Sequence, residues 1–373
     1  MLKKVQKINL MAVGGLSFLM LFTLNNLFQQ RDKSHLYNGP FHLAPGIHTD
    51  DVKWLPFAAD TVFVAEADFI SYPYQCVADA WGNLYVLDWK RKEIHKFDPL
   101  GIHVKTFGGS GSGPGEFGGN ARLYITPDRK IIYVDDKRNN RLVQYDTSGT
   151  FIKAITGIPS KWKRVMTLDE KVIGAGLRKK PIGSVYSNKG KLLLEFGEHV
   201  TASHLVNQGS LWIDRDEQVY FTNDYTSVIQ VYRPNGEFVY KIEGPMKYVP
   251  KKAIKKRNFQ LTGREPKGTL DICTADNFLY VLFSGKLSSS DGRIHGSLSR
   301  IVHIYHRKTG DYLGSIELPD LVKFIHVYQD RLFLIQHDEE LSRIVAYDLS
   351  STIASLQSQV QKVRTKLSGK RLR

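Results

Sequence analysis

From residue 61 onward the chain alternates short apolar runs with turns rich in Gly, Asp, Asn and Pro, a pattern of strands rather than helices. The pattern recurs six times. Its clearest mark is an aromatic residue followed by a turn: Phe97 in KFDPLG, Tyr145 in QYDTSG, Tyr186 in VYSNKG, Tyr232 in VYRPNG, Tyr305 in IYHRKTG and Tyr347 in AYDLSS. In the first five, Gly101, Gly149, Gly190, Gly236 and Gly310 open a further apolar strand, which predicts hairpins with glycine where positive φ is required. Upstream, Trp81-Gly82-Asn83 and then Asp128, Asp169, Asp216, Asp276 and Asp330 each precede another apolar run. From turn aspartate to strand aromatic the separations in the last five units are 17, 17, 16, 29 and 17 residues, so the fifth unit holds an insertion within a preserved repeat.

Each unit thus offers four strands, lettered a to d from the axis outward, and four-stranded sheets repeated radially make a propeller. The predicted fold class is all-β, a six-bladed β-propeller of four-stranded blades over residues 51–350. The last unit has no fourth strand of its own, because after 343–348 the chain turns to TIASLQSQVQKV. TVFVAEAD, 61–68, is predicted to supply that outer strand, closing the ring and removing an exposed edge. GNLYVLDWKRKEIHKFDPLGIHVKTFGGSGSGPGEF and RKIIYVDDKRNNRLVQYDTSGTFIKAITG resemble NHL repeats, and the other four units resemble degenerate ones. The resemblance covers about residues 51–350 and implies the NHL and TolB-like class of six-bladed propellers. That class includes protein-binding and RNA-binding modules, lyases, lactonases and bacterial envelope proteins, so the resemblance implies a fold and leaves the activity open.

Residues 8–24, INLMAVGGLSFLMLFTL, carry no charge, follow Lys3, Lys4 and Lys7, and continue uncharged to Gln30. That is near bilayer length, with no small-x-small cleavage site behind it, so residues 1–30 are predicted to be an uncleaved signal anchor; a cleaved signal peptide is the alternative. The lysines in front keep the N-terminus cytoplasmic and place the propeller outside, in the periplasm or beyond the cell. Residues 31–50 read as a tether. In the tail, 351–373, Ile353, Leu356, Val360, Val363 and Leu367 fall at helical spacing among Lys362, Arg364 and Lys366. This predicts a basic amphipathic helix that either docks on the propeller or meets a membrane surface.

Composition adds charge to this picture. The 373 residues carry a formal net charge of +15, which favours anionic partners. The extracytoplasmic placement disfavours nucleic acid and leaves a protein, a peptide or an anionic envelope component. Two cysteines, Cys76 and Cys273, exclude a disulfide scaffold and a four-cysteine zinc site, and are expected to be buried.

In a propeller the b–c loops and d–a connections share one face. The insertion 285–299 and the connection 245–266 therefore decorate the same face. That face is predicted to carry a basic arc: Lys90, Arg91 and Lys92, then Lys137, Arg138 and Arg141, then Arg178, Lys179 and Lys180, with Lys251, Lys252, Lys255, Lys256 and Arg257 from the long connection. The plainer alternative is that these are solvated loop cations.

Gly108–Gly119 lacks the Lys-Ser or Lys-Thr of a phosphate loop and reads as a flexible blade linker. The recurring aspartates read as turn formers, since they occupy one repeated position. Two residues break the repeat, His204 and Asp271, and are the candidate catalytic groups of a channel-centred enzyme. Lyases of the resembling class use channel-facing histidines on a metal. Here His204 and His326 fall near inner strands while His95, His103, His303 and His306 do not, so a three-histidine zinc site would need a loop residue such as His295. No metal or cofactor is expected. The function expected is a non-catalytic, membrane-tethered recognition module using its basic face. A channel-centred hydrolase or lyase, with or without a metal, is the alternative, and a scaffold within a membrane complex a third.

Overall fold

The computed structural model describes residues 43, 47–66, 69–159, 161, 163–248, 265–286, 298–337 and 342–359. Among these described residues twenty-four strands form six four-stranded antiparallel sheets. β1 (Thr61–Glu66) precedes the first complete blade, β2 (Pro73–Ala78), β3 (Leu84–Asp88), β4 (Glu93–Phe97) and β5 (His103–Gly108). Blade two is β6 (Ala121–Ile125), β7 (Ile131–Asp136), β8 (Arg141–Asp146) and β9 (Phe151–Ile155), and blade three is β10 (Arg164–Met166), β11 (Val172–Ala175), β12 (Gly183–Tyr186) and β13 (Leu192–Phe196). Blade four is β14 (Leu211–Ile213), β15 (Val219–Phe221), β16 (Val228–Tyr232) and β17 (Phe238–Glu243). Blade five is β18 (Thr269–Ala275), β19 (Phe278–Phe283), β20 (Ser299–His306) and β21 (Tyr312–Val322). β22 (Ile325–Tyr328), β23 (Arg331–His337) and β24 (Ser342–Asp348) supply the a, b and c strands of blade six.

β1 completes blade six. It runs antiparallel to β24, with Phe63 opposite Ala346 and Glu66 opposite Arg343, as the missing fourth strand required. The six-bladed fold and its closure therefore stand as the repeat pattern predicts.

The apolar runs explain which strands are covered. The b strands LYVLD and IIYVDD are buried almost throughout because each lies between neighbouring blades, whereas d strands such as HVKTFG face water along most of their length. Blades meet through clusters of aromatic and aliphatic side chains; Tyr85, Phe107, Ile132 and Tyr145 fill the seam between blades one and two. The c–d turns take the predicted conformation. Gly149, at φ 80°, is pressed against Phe107, whose ring would lie 2.6 Å from an added Cβ, so both backbone and space demand glycine.

The repeated aspartates lie in the a–b turns, but the turns are bonded chiefly by the residue two places earlier. Asp79 Oδ1 accepts the N–H groups of Trp81 and Asn83, and Asp214 Oδ1 those of Asp216 and Gln218. Thr126 and Thr167 hold the equivalent place, each donating its hydroxyl to the repeat aspartate, Asp128 or Asp169.

Both flanks dock on the propeller. Ile47, within the stretch read as tether, is buried, and Leu55 N–H donates to Ser315 O at 2.8 Å, laying residues 53–55 along the outer strand of blade five. A helix over residues 350–359 buries Leu356 in the blade five and six core, and Thr352 Oγ1 donates to Pro56 O at 2.6 Å. Over those residues the amphipathic tail docks; 360–373 lie outside the described residues. Among the described residues no helix is long and apolar enough to cross a membrane, and the segment 8–24 lies outside them.

Candidate functional site

Antiparallel strands place the b–c loops and d–a connections at one end of every blade. Six loop cations at that end are exposed: Lys90, Arg91, Arg138, Arg178, Lys179 and Lys180. Arg91 Nε donates to Ser71 Oγ at 2.8 Å, and Lys180 pairs with Glu198 at 2.9 Å, both side chains exposed. Lys92 folds back over the Trp89 ring at 4.2 Å.

Two members of the predicted arc serve the fold instead. Lys137 turns inward onto the buried carboxylate of Asp135. Arg141 pairs with Asp136 at 3.3 Å and donates to Ser112 O, Gly113 O and Glu116 O. These bonds, with Tyr145 Oη to Gly115 O at 2.7 Å, strap down the glycine-rich linker that the sequence presented as flexible. Lys251, Lys252, Lys255, Lys256, Arg257 and His295 lie outside the described residues.

The same end of the axis holds a second set of cations. Arg122 on β6, Lys163 just before β10, Lys267 before β18 and Lys323 before β22 come from four blades. The Arg122 guanidinium lies 4.7 Å from the centroid of Tyr74, and Lys323 Nζ lies 5.0 Å from the same ring. Phe324 packs edge-on to Tyr74 at 4.7 Å, and Trp89 and Tyr72 continue the aromatic wall outward. Lys267 sits 3.9 Å over Tyr225 and 3.7 Å from Asp224. Burial, then the charge of Arg122, lowers the pKa of Lys163 to about 8, and the same two causes lower that of Lys323. Cations crowded enough to depress one another form a site to which an anion brings electrostatic relief.

Deeper in the channel Lys163 Nζ donates to Ser210 Oγ at 3.2 Å, and Asp271 Oδ2 accepts Ile325 N–H at 3.0 Å. Ser210, Lys163 and Asp271 border a cavity of about 20 Å³, room for a water and not for a substrate. His204 is exposed on the turn ahead of β14 and is not among the partners of Asp271, so the two repeat-breaking residues form no joint catalytic pair. His326 is buried near the axis and held well below its ordinary pKa by burial and by Arg129, hence neutral. Among the described residues no group of three metal-ligating side chains converges.

Burial raises the Asp271 pKa from 3.8 to about 6. Between those values the folded protein keeps a proton that the unfolded chain has released, so stability falls as pH rises through the window. Above it the buried carboxylate costs on the order of 3 kcal/mol. Asp271→Asn should therefore be more stable than the parent above pH 6, and its urea midpoint should lose the decline across that window; parallel pH profiles would refute this assignment.

Residues 70–171 match DUF5128, a family of six-bladed β-propellers. No curated protein matches the chain. Among solved structures it is similar to a Bacteroides fragilis protein named for export, at 11% identity and TM-score 0.50, covering 82% of this chain and 98% of that one. A Bacteroides vulgatus member of the DUF4221 family gives 12% identity and TM-score 0.54, covering 79% and 98%. A virginiamycin B lyase from Staphylococcus aureus gives 12% identity and TM-score 0.46, covering 77% and 88%. The two Bacteroides likenesses show the propeller fold, and none of the three carries chemistry across.

The axial cations escaped the sequence reading because they sit singly, one per blade. Their signal was periodic rather than local: Arg122, Lys163, Lys267 and Lys323 all fall at the entry to an inner strand. Aligning the six units at that point rather than at their turns exposes them.

Proposed function

We propose that the chain is a membrane-tethered, extracytoplasmic recognition module of NHL-like type that binds a carboxylate-bearing protein, peptide or envelope component at the b–c end of its axis. The observation carrying this reading is the convergence of Arg122, Lys163, Lys267 and Lys323 beside Tyr74, Trp89 and Phe324. Cations hold carboxylates, and aromatic faces hold the apolar or sugar-ring portions next to them. The exposed loop cations of blades one to three lie at the same end and steer an anionic partner toward that mouth over roughly 8 to 10 Å at physiological salt. Residues 8–24 hold the module at the membrane under this reading. Under this reading Asp271 is not a hydrolytic group, since the cavity beside it has room for a water and not for a substrate.

The test is recovery of partners from native membranes with the parent chain and with the Arg122→Gln/Lys323→Gln double variant, each checked for a native unfolding curve. The parent should recover a partner that the variant loses and that salt elutes. Equal recovery by both chains contradicts the assignment of the site.

A further inference from the structure

The opposite end of the axis holds a separate cavity. It measures about 310 Å³ and is bordered by the a–b turns of five blades, with Arg129, Trp212, Arg215 and Tyr328 among its walls. That volume suits a small organic molecule.

Arg129 is anomalous there. It occupies the left-handed position of its turn, at φ 59°, and its side chain points inward. Nη1 donates to Ala78 O at 2.8 Å and lies 3.3 Å from His326 Nε2; Nη2 reaches Val327 O at 3.5 Å. The guanidinium also lies 5.0 Å from the Tyr328 ring centroid. None of these partners carries negative charge, since His326 Nε2 already accepts the Ala78 N–H and the ring is neutral. Among the described residues no carboxylate oxygen lies within 4.0 Å of Arg129.

Two fully buried guanidiniums of this protein are paired differently. Arg164 meets Asp135 at 2.6 Å, and Arg307 meets Asp214 and Asp216 at 2.6 Å each. A cation drawn out of water is costly unless it is paired, and the partly covered Arg129 hydrogen-bonds only neutral acceptors, with Asp276 and Asp79 acting on it from beyond 4.0 Å, while it borders a cavity open to solvent.

We infer that this cavity binds a small organic molecule bearing a single carboxylate, whose two oxygens supply the direct ion-pair partner that Arg129 lacks. The planar guanidinium suits that bidentate contact. Trp212 and Tyr328 provide aromatic surface for the body of the ligand, and Arg215 adds a cation at the rim. Asp128 and Asp276, exposed on the same rim, oppose multiply charged anions such as phosphate and accept an ammonium group if the carboxylate belongs to an amino acid.

Isothermal titration of the purified chain with benzoate, phenylalanine and inorganic phosphate at millimolar concentration tests this. Benzoate or phenylalanine should bind and raise the melting temperature, phosphate should not, and the better of the two tells a plain carboxylate from an amino acid. Arg129→Gln should weaken that binding about tenfold or more. Arg215→Glu, at an exposed position, should weaken binding in a chain that folds normally and so keeps the test decisive if Arg129→Gln misfolds. Arg122→Gln/Lys323→Gln should leave it unchanged, which separates this site from the recognition site at the other end. Failure of both carboxylates to bind, or binding unaltered in every Arg129 and Arg215 variant, overturns the inference.

Discussion

Arg307→Met should lower the stability of the protein by about 3–5 kcal/mol, the usual result of removing one partner from a buried ion pair. Both partners are fully covered: Arg307 is 1% exposed and Asp214 likewise. Arg307 Nη1 meets Asp214 Oδ2 and Nη2 meets Asp216 Oδ2, each at 2.6 Å, while Nε donates to Asp276 O at 2.9 Å. The arginine belongs to the c–d turn of blade five and the two aspartates to the a–b turn of blade four, so one side chain joins two blades. Asp214 stays fixed beside the gap, because its other oxygen accepts the N–H groups of Asp216 and Gln218 and its Oδ2 accepts the Tyr220 hydroxyl. Urea unfolding measures the loss. Asp214→Asn in the same chain should restore part of it; a single variant within about 0.5 kcal/mol of the parent would show that the pair is not the clasp described.

The second large effect concerns closure. Phe63→Ala should cost about 3–5 kcal/mol, the range for a buried phenylalanine cut back to alanine. Phe63 is the inward side chain of β1: it packs edge-on to Phe333 at 5.7 Å and rests against the glycine of the c–d turn in blade one, Gly101, where an added Cβ would meet its ring at 3.0 Å. Weakening it loosens the one blade made from both ends of the propeller. It also exposes the edge of β24, so the variant should associate in a concentration-dependent manner near its unfolding midpoint, visible by light scattering. Val62→Ala, on the exposed side of the same strand, should change stability by less than about 0.5 kcal/mol. Equal effects at 62 and 63 would mean that β1 is held by its backbone alone.

The ring was legible in sequence because its signals are local and repeat: an aromatic, a turn, a glycine, an apolar run. The positive φ of Gly149 is set within its own turn, so a linear pattern captures it, whereas the ring of Phe107 pressed against it and the turn bonds of Asp79 lay outside the pattern. Closure by residues 61–66 was legible for a different reason, since a blade short of a strand leaves an edge that something must cover. The candidate site was only partly legible. Charge counting found the b–c end but could not tell Arg138, which faces water, from Arg141, whose donors are taken by carbonyls of the glycine-rich linker. Direction, not residue type, separates the two. Asp271 stood out because it broke the repeat, yet its meaning depends on burial and on Lys163, which no spacing rule reports. Arg129 was invisible for the same reason: nothing in the string TPDRK says that its guanidinium points inward and meets no acid.

Recognition of carboxylates at the b–c end is tested most directly by calorimetric titration of the purified propeller with an oligoglutamate and an oligouronate at two salt concentrations and two values of pH. At least one should bind the parent, more weakly as salt rises and as pH passes the Lys163 pKa of about 8, and should bind Arg122→Gln/Lys323→Gln about tenfold or more weakly. Affinity that is the same in parent and variant, and indifferent to salt, would contradict the site.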